Sequence, residues 1–304
     1  MSTKNYELIE AADWPALRDN LPPAEFLWTP MIPARSKILT HSAPSVGKSA
    51  LSWGVMNAIQ SGEPYLGLPT KAGNCLLVSN DMSKHSFKQR WDKNFAPKFP
   101  FIIIPKTDIS TETFAYSDAY KFIYEFVRER KIDLVCIDTL GGLCMGKSMS
   151  SDETATMLTG IINQWIGTDR AILILHHDKK MGRDSSGTKF YSDKEDFLGS
   201  QMWSSDCTSQ IHMWKSREHQ SCIKHVKSQV SALHDDTLKV YINLTGMAEL
   251  WDDKRASEVT QKFNKFITDA KLTQATPTEQ VMGAIKFFGI SERTAWRWFS
   301  MARG

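Results

Sequence analysis

Apolar residues follow two alternating patterns between residues 36 and 252 of this chain. Unbroken apolar runs of strand length alternate with longer segments whose apolar positions follow a helical period. The runs cover 36–41, 73–79, 101–104, 132–137 and 171–175, and the helical segments cover 49–59, 83–94, 116–130 and 152–167. Because strands buried on both faces read as continuous apolar runs, this pattern predicts an α/β fold with a mostly parallel sheet covered by helices.

The later segments predict an antiparallel extension of that sheet and a small helical domain. Successive antiparallel strands are expected at 208–214, 222–229 and 238–244, and helices at 258–270, 277–288 and 292–302. Thr276 and Ser291 are expected to cap the last two helices. The predicted organisation is a proline-containing lead-in at 1–35, an α/β domain at 36–253 and an all-α domain at 254–304.

Composition is typical of a globular protein, and the distribution of charge along the chain indicates a polyanionic partner. The 304 residues are 41% hydrophobic and 23% charged, and no apolar run is long enough to span a membrane. A polar N-terminus and five cysteines without a C-x-x-C pair favour a cytoplasmic protein with reduced thiols. The net charge is +3, yet residues 254–304 alone hold nine basic and four acidic side chains. A basic end domain is typical of proteins that bind a polyanion.

The segment from Ser42 to Ser49 carries the most specific motif. It reads Ser-Ala-Pro-Ser-Val-Gly-Lys-Ser and fits the phosphate-binding loop G-x-x-x-x-G-K-[ST], except that Ser42 stands at the first glycine. In such a loop, backbone N–H groups surround phosphate oxygens, Lys48 reaches the β- and γ-phosphates, and the Ser49 hydroxyl binds Mg²⁺. The candidate nucleotide contacts are Ser42, Ala43, Pro44, Ser45, Val46, Gly47, Lys48, Ser49, Ala50 and, on the helix predicted at 83–94, Arg90.

Polar residues stand where three of the predicted strands end. Asp138 follows an apolar strand and is a candidate Mg²⁺ ligand, directly or through water. Asn80 and Asp81 end another strand, where a side chain could orient or deprotonate water near the γ-phosphate; an ordinary polar strand end is the alternative. His177, after His176, is a candidate sensor of the γ-phosphate. A metal shared by these two histidines is disfavoured because adjacent strand residues point in opposite directions.

Over residues 25–250 the chain resembles RecA-like P-loop ATPases, and within them the RepA-type hexameric helicases of plasmids and their phage relatives. The segments that carry the resemblance are 26–28, 42–49, 62–68, 78–81, 137–140, 175–177, 199–200 and Asp206. The resemblance implies a RecA-like core, ATP and Mg²⁺ as cofactors, and a homo-oligomeric ring, expected to be a hexamer. In the family a glutamate that activates water stands where Asn80 stands here, and an arginine stands where Leu198 stands. Either Asp81 replaces the glutamate, or the protein is a slow ATPase or an ATP-binding switch.

The ring implied by the resemblance needs a basic finger from the next subunit and channel loops for DNA. Lys224 and Lys227 lie in the matching strand region for the finger, with solvated strand lysines as the alternative. Two loops, 141–150 and 178–196, would face single-stranded DNA in the central channel; a charge-balanced surface loop is the alternative for the second. The candidate DNA contacts in these loops are Lys147, Lys179, Lys180, Arg183 and Lys189.

Residues 280–303 predict a helix-turn-helix with a glycine turn. Its second helix would present Arg293, Thr294 and Arg297 to duplex DNA, although an oligomerisation or packing helix pair is the alternative. This domain would bind duplex DNA or a replication partner. The sequence therefore predicts a ring-forming, Mg²⁺-ATP-dependent motor on DNA. The resemblance alone implies that it is a replication helicase or helicase-like ATPase of a phage, plasmid or other mobile element. A RecA-like recombinase or annealing ATPase, and an ATP-switched DNA-binding regulator or loader, are the rival interpretations.

Overall fold

A computed structural model of the chain gives the architecture. The structure describes residues 10–91, 97–104, 118–144, 148, 151–166, 169–178, 201–217, 220–242, 247–251, 253–288 and 292–303. Within these ranges no helix is both long and apolar enough to cross a membrane.

A nine-stranded sheet forms the centre of the protein. In chain order its strands are β3 (Lys37–Ser42), β4 (Cys75–Ser79), β5 (Phe101–Ile103), β6 (Leu134–Asp138), β7 (Ala171–His177), β8 (Ser209–Arg217), β9 (Gln220–Ser228), β10 (Leu238–Ile242) and β11 (Ala248–Leu250). Their spatial order is β11-β10-β9-β8-β3-β7-β6-β4-β5. Strands β8, β3, β7, β6, β4 and β5 run parallel, and β9, β10 and β11 extend the sheet antiparallel from β8. The predicted α/β fold, a RecA-like P-loop core with a mostly parallel sheet and an antiparallel extension, is confirmed.

Helices cover both faces of the sheet, as the unbroken apolar strands predict. One face, called here the α2 face, packs against α2 (Lys48–Ser61) and α3 (Lys84–Trp91) and includes Ile38, Leu77 and Leu175. The opposite face, called the α6 face, includes Leu39 and Ile174. It packs against α4 (Asp118–Glu129), α5 (Leu140–Leu143), α6 (Asp152–Ile166) and α7 (Met202–Ser205). Successive residues of one strand therefore belong to different cores.

The lead-in contains elements that the sequence pattern did not predict. A short helix, α1 (Trp14–Asn20), precedes a hairpin of β1 (Phe26–Trp28) and β2 (Ile32–Pro33). Trp28, Met31 and Ile32 are fully buried in the α2-face core, and Trp28 Nε1 donates to the Tyr65 carbonyl at 3.2 Å. The prolines of this segment break the alternation that marks longer strands, so the hairpin left no clear periodic signal.

Three helices at the end of the chain pack around a core of their own. They are α8 (Asp253–Asp269), α9 (Pro277–Phe288) and α10 (Glu292–Arg303), and Phe263, Val281, Ala284 and Ala295 are buried between them. Thr276 caps α9 as predicted: its Oγ1 accepts from the Glu279 N–H at 3.4 Å, and its own backbone N–H donates to Glu279 Oε2 at 2.8 Å. Ser291 lies outside the described residues, and the division of the chain at residues 35 and 253 stays a prediction.

Candidate nucleotide site

The segment between β3 and α2 has the backbone of a tight loop at a helix N-terminus. Ser45 and Gly47 have φ values of 62° and 116°, in the left-handed region that glycine adopts most readily. Gly47 also lies under Ile242 of β10, and a Cβ atom there would come within 2.9 Å of Ile242 Cδ1. The Ser221 hydroxyl of β9 donates to the Val46 carbonyl at 2.8 Å. The antiparallel extension thus holds the loop from the side, while α2 directs its positive N-terminal end toward the loop.

Lys48 folds its ammonium group back across this loop. Its Nζ donates to the Ser42 carbonyl at 3.0 Å, to Ser42 Oγ at 2.8 Å and to the Ala43 carbonyl at 3.3 Å. The residue is only 6% exposed, and burial lowers the pKa of Lys48 to about 8 although Asp178, Asp138 and Asp81 oppose this shift. Neutral oxygens compensate a buried cation less well than phosphate oxygens would. The loop therefore fits a polyphosphate, with Lys48 as its charge partner.

Ser42 adds a contact that the usual glycine could not make. Its hydroxyl accepts from Lys48 Nζ and donates to the Ala43 carbonyl at 2.8 Å. Ser42 does not have a positive φ, so the backbone at this position does not require the glycine that the motif usually has.

Asp138 lies at the end of β6, on the face that carries α2. Cys136, two residues earlier, belongs to the α2-face core, and strand alternation places Asp138 on the same side. Asp138 is 3% exposed and pairs in register with Ser79, whose buried hydroxyl has no hydrogen-bond partner among the described residues. Ser49 is the second residue of α2. The Asp138 carboxylate and the neighbouring Ser79 hydroxyl are oxygen donors of the kind that Mg²⁺ prefers, and the Ser49 hydroxyl at the start of α2 is a further candidate of the same kind, so the donor set fits this ion.

Asn80 and Asp81 have different surroundings. Asn80 is 1% exposed; its Oδ1 accepts from the Thr139 N–H at 2.8 Å, and its backbone N–H donates to the Asp138 carbonyl at 3.0 Å. Its side chain lies directly against Gly142, where an added Cβ would come within 2.2 Å of Asn80 Oδ1. Asp81 is exposed and close enough to influence the pKa of both Lys48 and His177. Asp81 is therefore the accessible carboxylate at this strand end.

His177 contacts the loop lysine, whereas His176 does not share its face. His177 pairs in register with Ser42, and its Nδ1 lies 3.3 Å from Lys48 Nζ. Burial and the charge of Lys48 lower the pKa of His177. His176 is fully buried near Trp203, which belongs to the α6-face core. The two histidines thus point in opposite directions, as the argument against a shared metal requires.

The two finger candidates also differ. Lys224 is exposed on β9, whereas Lys227 Nζ donates to the carbonyls of Ser204 at 2.7 Å and Ser205 at 3.2 Å, at the end of α7. Lys227 would have to leave these bonds in order to reach a neighbouring subunit, so Lys224 is the more accessible of the two.

Several candidates lie outside the described residues. They are the side chains of Arg90, Arg293, Thr294 and Arg297, together with Lys147, Lys179, Lys180, Arg183 and Lys189. Their assignments stay predictions.

Sequence reasoning missed a group of three polar side chains on the α6 face, at the ends of the strands that border the nucleotide site. His41 of β3, His212 of β8 and Asp178, which follows β7, lie together on the α6 face. No motif joins these positions; only the pairing of β3 with both β7 and β8 brings them into contact.

A parallel α/β sheet, a phosphate loop leading into a helix, and acidic and polar strand ends beside it define a P-loop ATPase. The sequence profile of the AAA domain family matches residues 5–183, more than half of the chain, and the chain belongs to this family. No curated protein matches the chain significantly.

Proposed function

We propose that this chain is a Mg²⁺-ATP-dependent motor on DNA, specifically a ring-forming replication helicase or helicase-like ATPase of a phage, plasmid or other mobile element. The observation that best supports ATP binding is the position of the Lys48 ammonium group. It is buried, hydrogen-bonded across a tight loop to neutral oxygens, and adjacent to His177. A triphosphate in the loop would give this cation its missing counter-charge.

In this proposal each candidate residue of the nucleotide site has one role. Loop N–H groups and Lys48 bind the phosphates, Ser49 and Asp138 hold Mg²⁺, and His177 contacts the terminal phosphate. Mg²⁺ held by these residues would supply charge neutralisation to the phosphates. Asp81, exposed beside the site and electrostatically linked to Lys48 and His177, orients the attacking water.

The DNA part rests on charge and on resemblance to RepA-type helicases. The basic residues of loops 141–150 and 178–196 would follow single-stranded DNA through the channel of a hexameric ring. The second segment directly follows β7, whereas the first begins inside α5 (Leu140–Leu143), the short helix after β6, so its first residues are helical and not the loop that the sequence predicts. A finger lysine from the next subunit, Lys224 or Lys227, would complete each ATP site. The basic terminal helices would bind duplex DNA as a helix-turn-helix or recruit a replication partner.

One observation favours a second function, an ATP-switched DNA-binding regulator or loader. Asn80 occupies the position of the water-activating glutamate, and its side-chain oxygen is already bonded to the Thr139 N–H. Its buried Nδ2 has no hydrogen-bond partner within the described part of the chain. This group can donate to a ligand but cannot accept a proton from water. A site with this amide alone would bind ATP and respond to it with little turnover.

Steady-state ATP hydrolysis, measured with and without single-stranded DNA, tests the proposal. We expect DNA-stimulated turnover that Lys48→Ala lowers by about a thousandfold and that Asp81→Asn lowers by at least about a hundredfold. Asp235→Asn, which alters an exposed carboxylate after β9, is the matched control and should leave the rate unchanged.

Two results would contradict the motor. If ATP binds but is not hydrolysed with or without DNA, the protein is an ATP-switched regulator or loader. If ATP is hydrolysed at a rate that DNA does not change, the protein is an ATPase that does not act on DNA. Particle imaging with ATP and DNA separates a closed ring from the filament that a recombinase would form.

A further inference from the structure

The side chains of His41, Asp178 and His212 form a cluster on the α6 face, called here the imidazole–carboxylate cluster. His41 is fully buried, and Asp178 and His212 are partly exposed. His41 Nδ1 lies 2.6 Å from Asp178 Oδ1, and His212 Nε2 lies 3.5 Å from Asp178 Oδ2. The cluster is distinct from the Mg²⁺ candidates Ser49 and Asp138, because strand alternation places it on the other side of the sheet.

The two imidazoles converge on one carboxylate. Their rings are stacked, with centroids 4.6 Å apart and planes inclined by 9°. One potential ligand atom from each of the three residues lies within 4.8 Å of the other two. Metal ligands at about 2 Å from a common ion are separated by slightly more than 3 Å, and each imidazole must face the ion in its own ring plane. Because the two rings are stacked, closing the site requires the partly exposed His212 ring to turn out of the stack toward Asp178.

A supporting hydrogen-bond chain fixes the orientation of the buried imidazole. Gln210 Nε2 lies 3.0 Å from His41 Nε2, and the Ser204 hydroxyl donates to Gln210 Oε1 at 3.0 Å. If His41 binds a metal through Nδ1, its proton resides on Nε2, and a rotated Gln210 amide accepts it through Oε1. The amide then donates to Ser204 Oγ, so both bonds of the chain are kept.

The charges of the cluster suit a divalent cation. The Asp178 carboxylate lies between two imidazole nitrogens, 2.6 Å from His41 Nδ1 and 3.5 Å from His212 Nε2. A divalent cation would replace the protons shared in these contacts, because an imidazole nitrogen binds a metal only without its proton.

We propose that His41, Asp178 and His212 bind a zinc-class divalent cation, with a further coordination position open to water. Two imidazoles and one carboxylate match the nitrogen and oxygen donors of zinc sites, whereas Mg²⁺ prefers oxygen donors alone. Such an ion would tie β3, β7 and β8 together at the point where the chain leaves β7.

Cobalt titration of the full-length protein tests this site. The protein is freed of metal by chelation, returned to buffer with excess Mg²⁺ to saturate oxygen-ligand sites, and titrated with Co²⁺. We expect one bound Co²⁺ with a visible absorption band, displaced by Zn²⁺. His212→Gln and Asp178→Asn should each weaken Co²⁺ binding by more than about tenfold, because each removes a ligand. His85→Gln, which alters an exposed histidine of α3, should bind as the unchanged protein does.

A supporting variant and a direct signal guard against misfolded ligand variants. Gln210→Met should weaken Co²⁺ binding by about tenfold through loss of the bond to His41. Proton NMR of the unchanged protein with Co²⁺ should show strongly shifted imidazole N–H signals. Absence of Co²⁺ binding, absence of shifted imidazole signals, or binding unaffected by His212→Gln and Asp178→Asn in folded protein would overturn the proposal and leave a hydrogen-bonded network.

Discussion

The two faces of the central sheet use the same strand ends for different chemistry. On the α2 face, His177 at the end of β7 contacts Lys48 at the phosphate loop. On the α6 face, the next residue, Asp178, contacts His41 of β3. Adjacent residues of a strand point to opposite faces, so β3 and β7 contribute side chains to both sites, and β8 adds His212 to the second. The comparison teaches that His177, the last residue of β7, and Asp178, the next residue, belong to separate hydrogen-bond networks, although the charge of Asp178 still acts on Lys48.

The faces also differ in how their polar groups are compensated. Lys48 is a buried cation whose close contacts are a hydroxyl, two carbonyls and an imidazole. Asp178 is an anion with two imidazole partners. The α2 face is therefore arranged for an anionic ligand, whereas the α6 face already contains the negative charge that a cation needs.

The largest expected difference between the faces comes from removal of the loop lysine. Lys48→Ala should lower ATP hydrolysis by about a thousandfold, because the phosphates lose their cation. Co²⁺ binding at the imidazole–carboxylate cluster should be kept or strengthened, since Lys48 is not a ligand and the variant removes a positive charge that acts on Asp178 and His41. Parallel ATPase assays and Co²⁺ titrations check this. A loss of Co²⁺ binding equal to the loss of hydrolysis would mean that the two faces form one site.

A smaller effect concerns stability above neutral pH. The pKa of Lys48 is lowered from 10.5 to about 8 in the folded protein, so between these values the unfolded chain binds more protons. The free energy of unfolding should therefore rise with pH across this window, by up to roughly 3 kcal/mol from this group.

Urea unfolding at pH 7.5 to 10.5, without nucleotide, measures that rise. The pH values of the series follow from the two pKa values of Lys48. Lys48→Met has no ammonium group, so its unfolding curve should lack the contribution while other groups titrate as before. An equal rise in both proteins would show that the loop lysine is well compensated without a phosphate.

The smallest effect compares one glycine in a helix on each face. In α2, a Cβ at Gly54 would come within 2.1 Å of the Tyr65 hydroxyl, which is buried and donates to the Ala248 carbonyl at 2.9 Å. In α6, a Cβ at Gly160 would meet nothing within 4 Å. Gly54→Ala should lower the free energy of unfolding by roughly 1–3 kcal/mol, and Gly160→Ala should raise it by up to about 1 kcal/mol. Chemical unfolding of both variants checks the signs; two changes of the same sign would contradict the packing described for α2.

Much of the fold could be predicted because buried parallel strands and amphipathic helices have distinct periods. The apolar run at 171–175 located β7, yet the strand continues through His176 and His177, because pairing with β3 extends to Ser42. The hairpin around Trp28 was missed because its two- and three-residue strands are too short to show a period.

The candidate site could be predicted only where its residues are contiguous or end a recognisable strand. The loop from Ser42 to Ser49 met both conditions. The bonds of Lys227 to the end of α7 and the contact of Asn80 with Gly142 depend on tertiary packing and leave no sequence signal. The imidazole–carboxylate cluster needs the spatial order β7-β3-β8, which the linear sequence does not specify.

The side support of the phosphate loop has a consequence for the order in which the protein can mature during synthesis. The bond from Ser221 to Val46 spans 175 residues, and the bond from Tyr65 to Ala248 spans 183. Both downstream partners are translated long after the motif itself and lie beyond the segment that matches the family profile. A nascent chain in which Gly47 and Lys48 have left the ribosome but β9 and β11 have not therefore has a phosphate loop without this support. Nucleotide could stabilise the domain fully only after the last strands had left the ribosome.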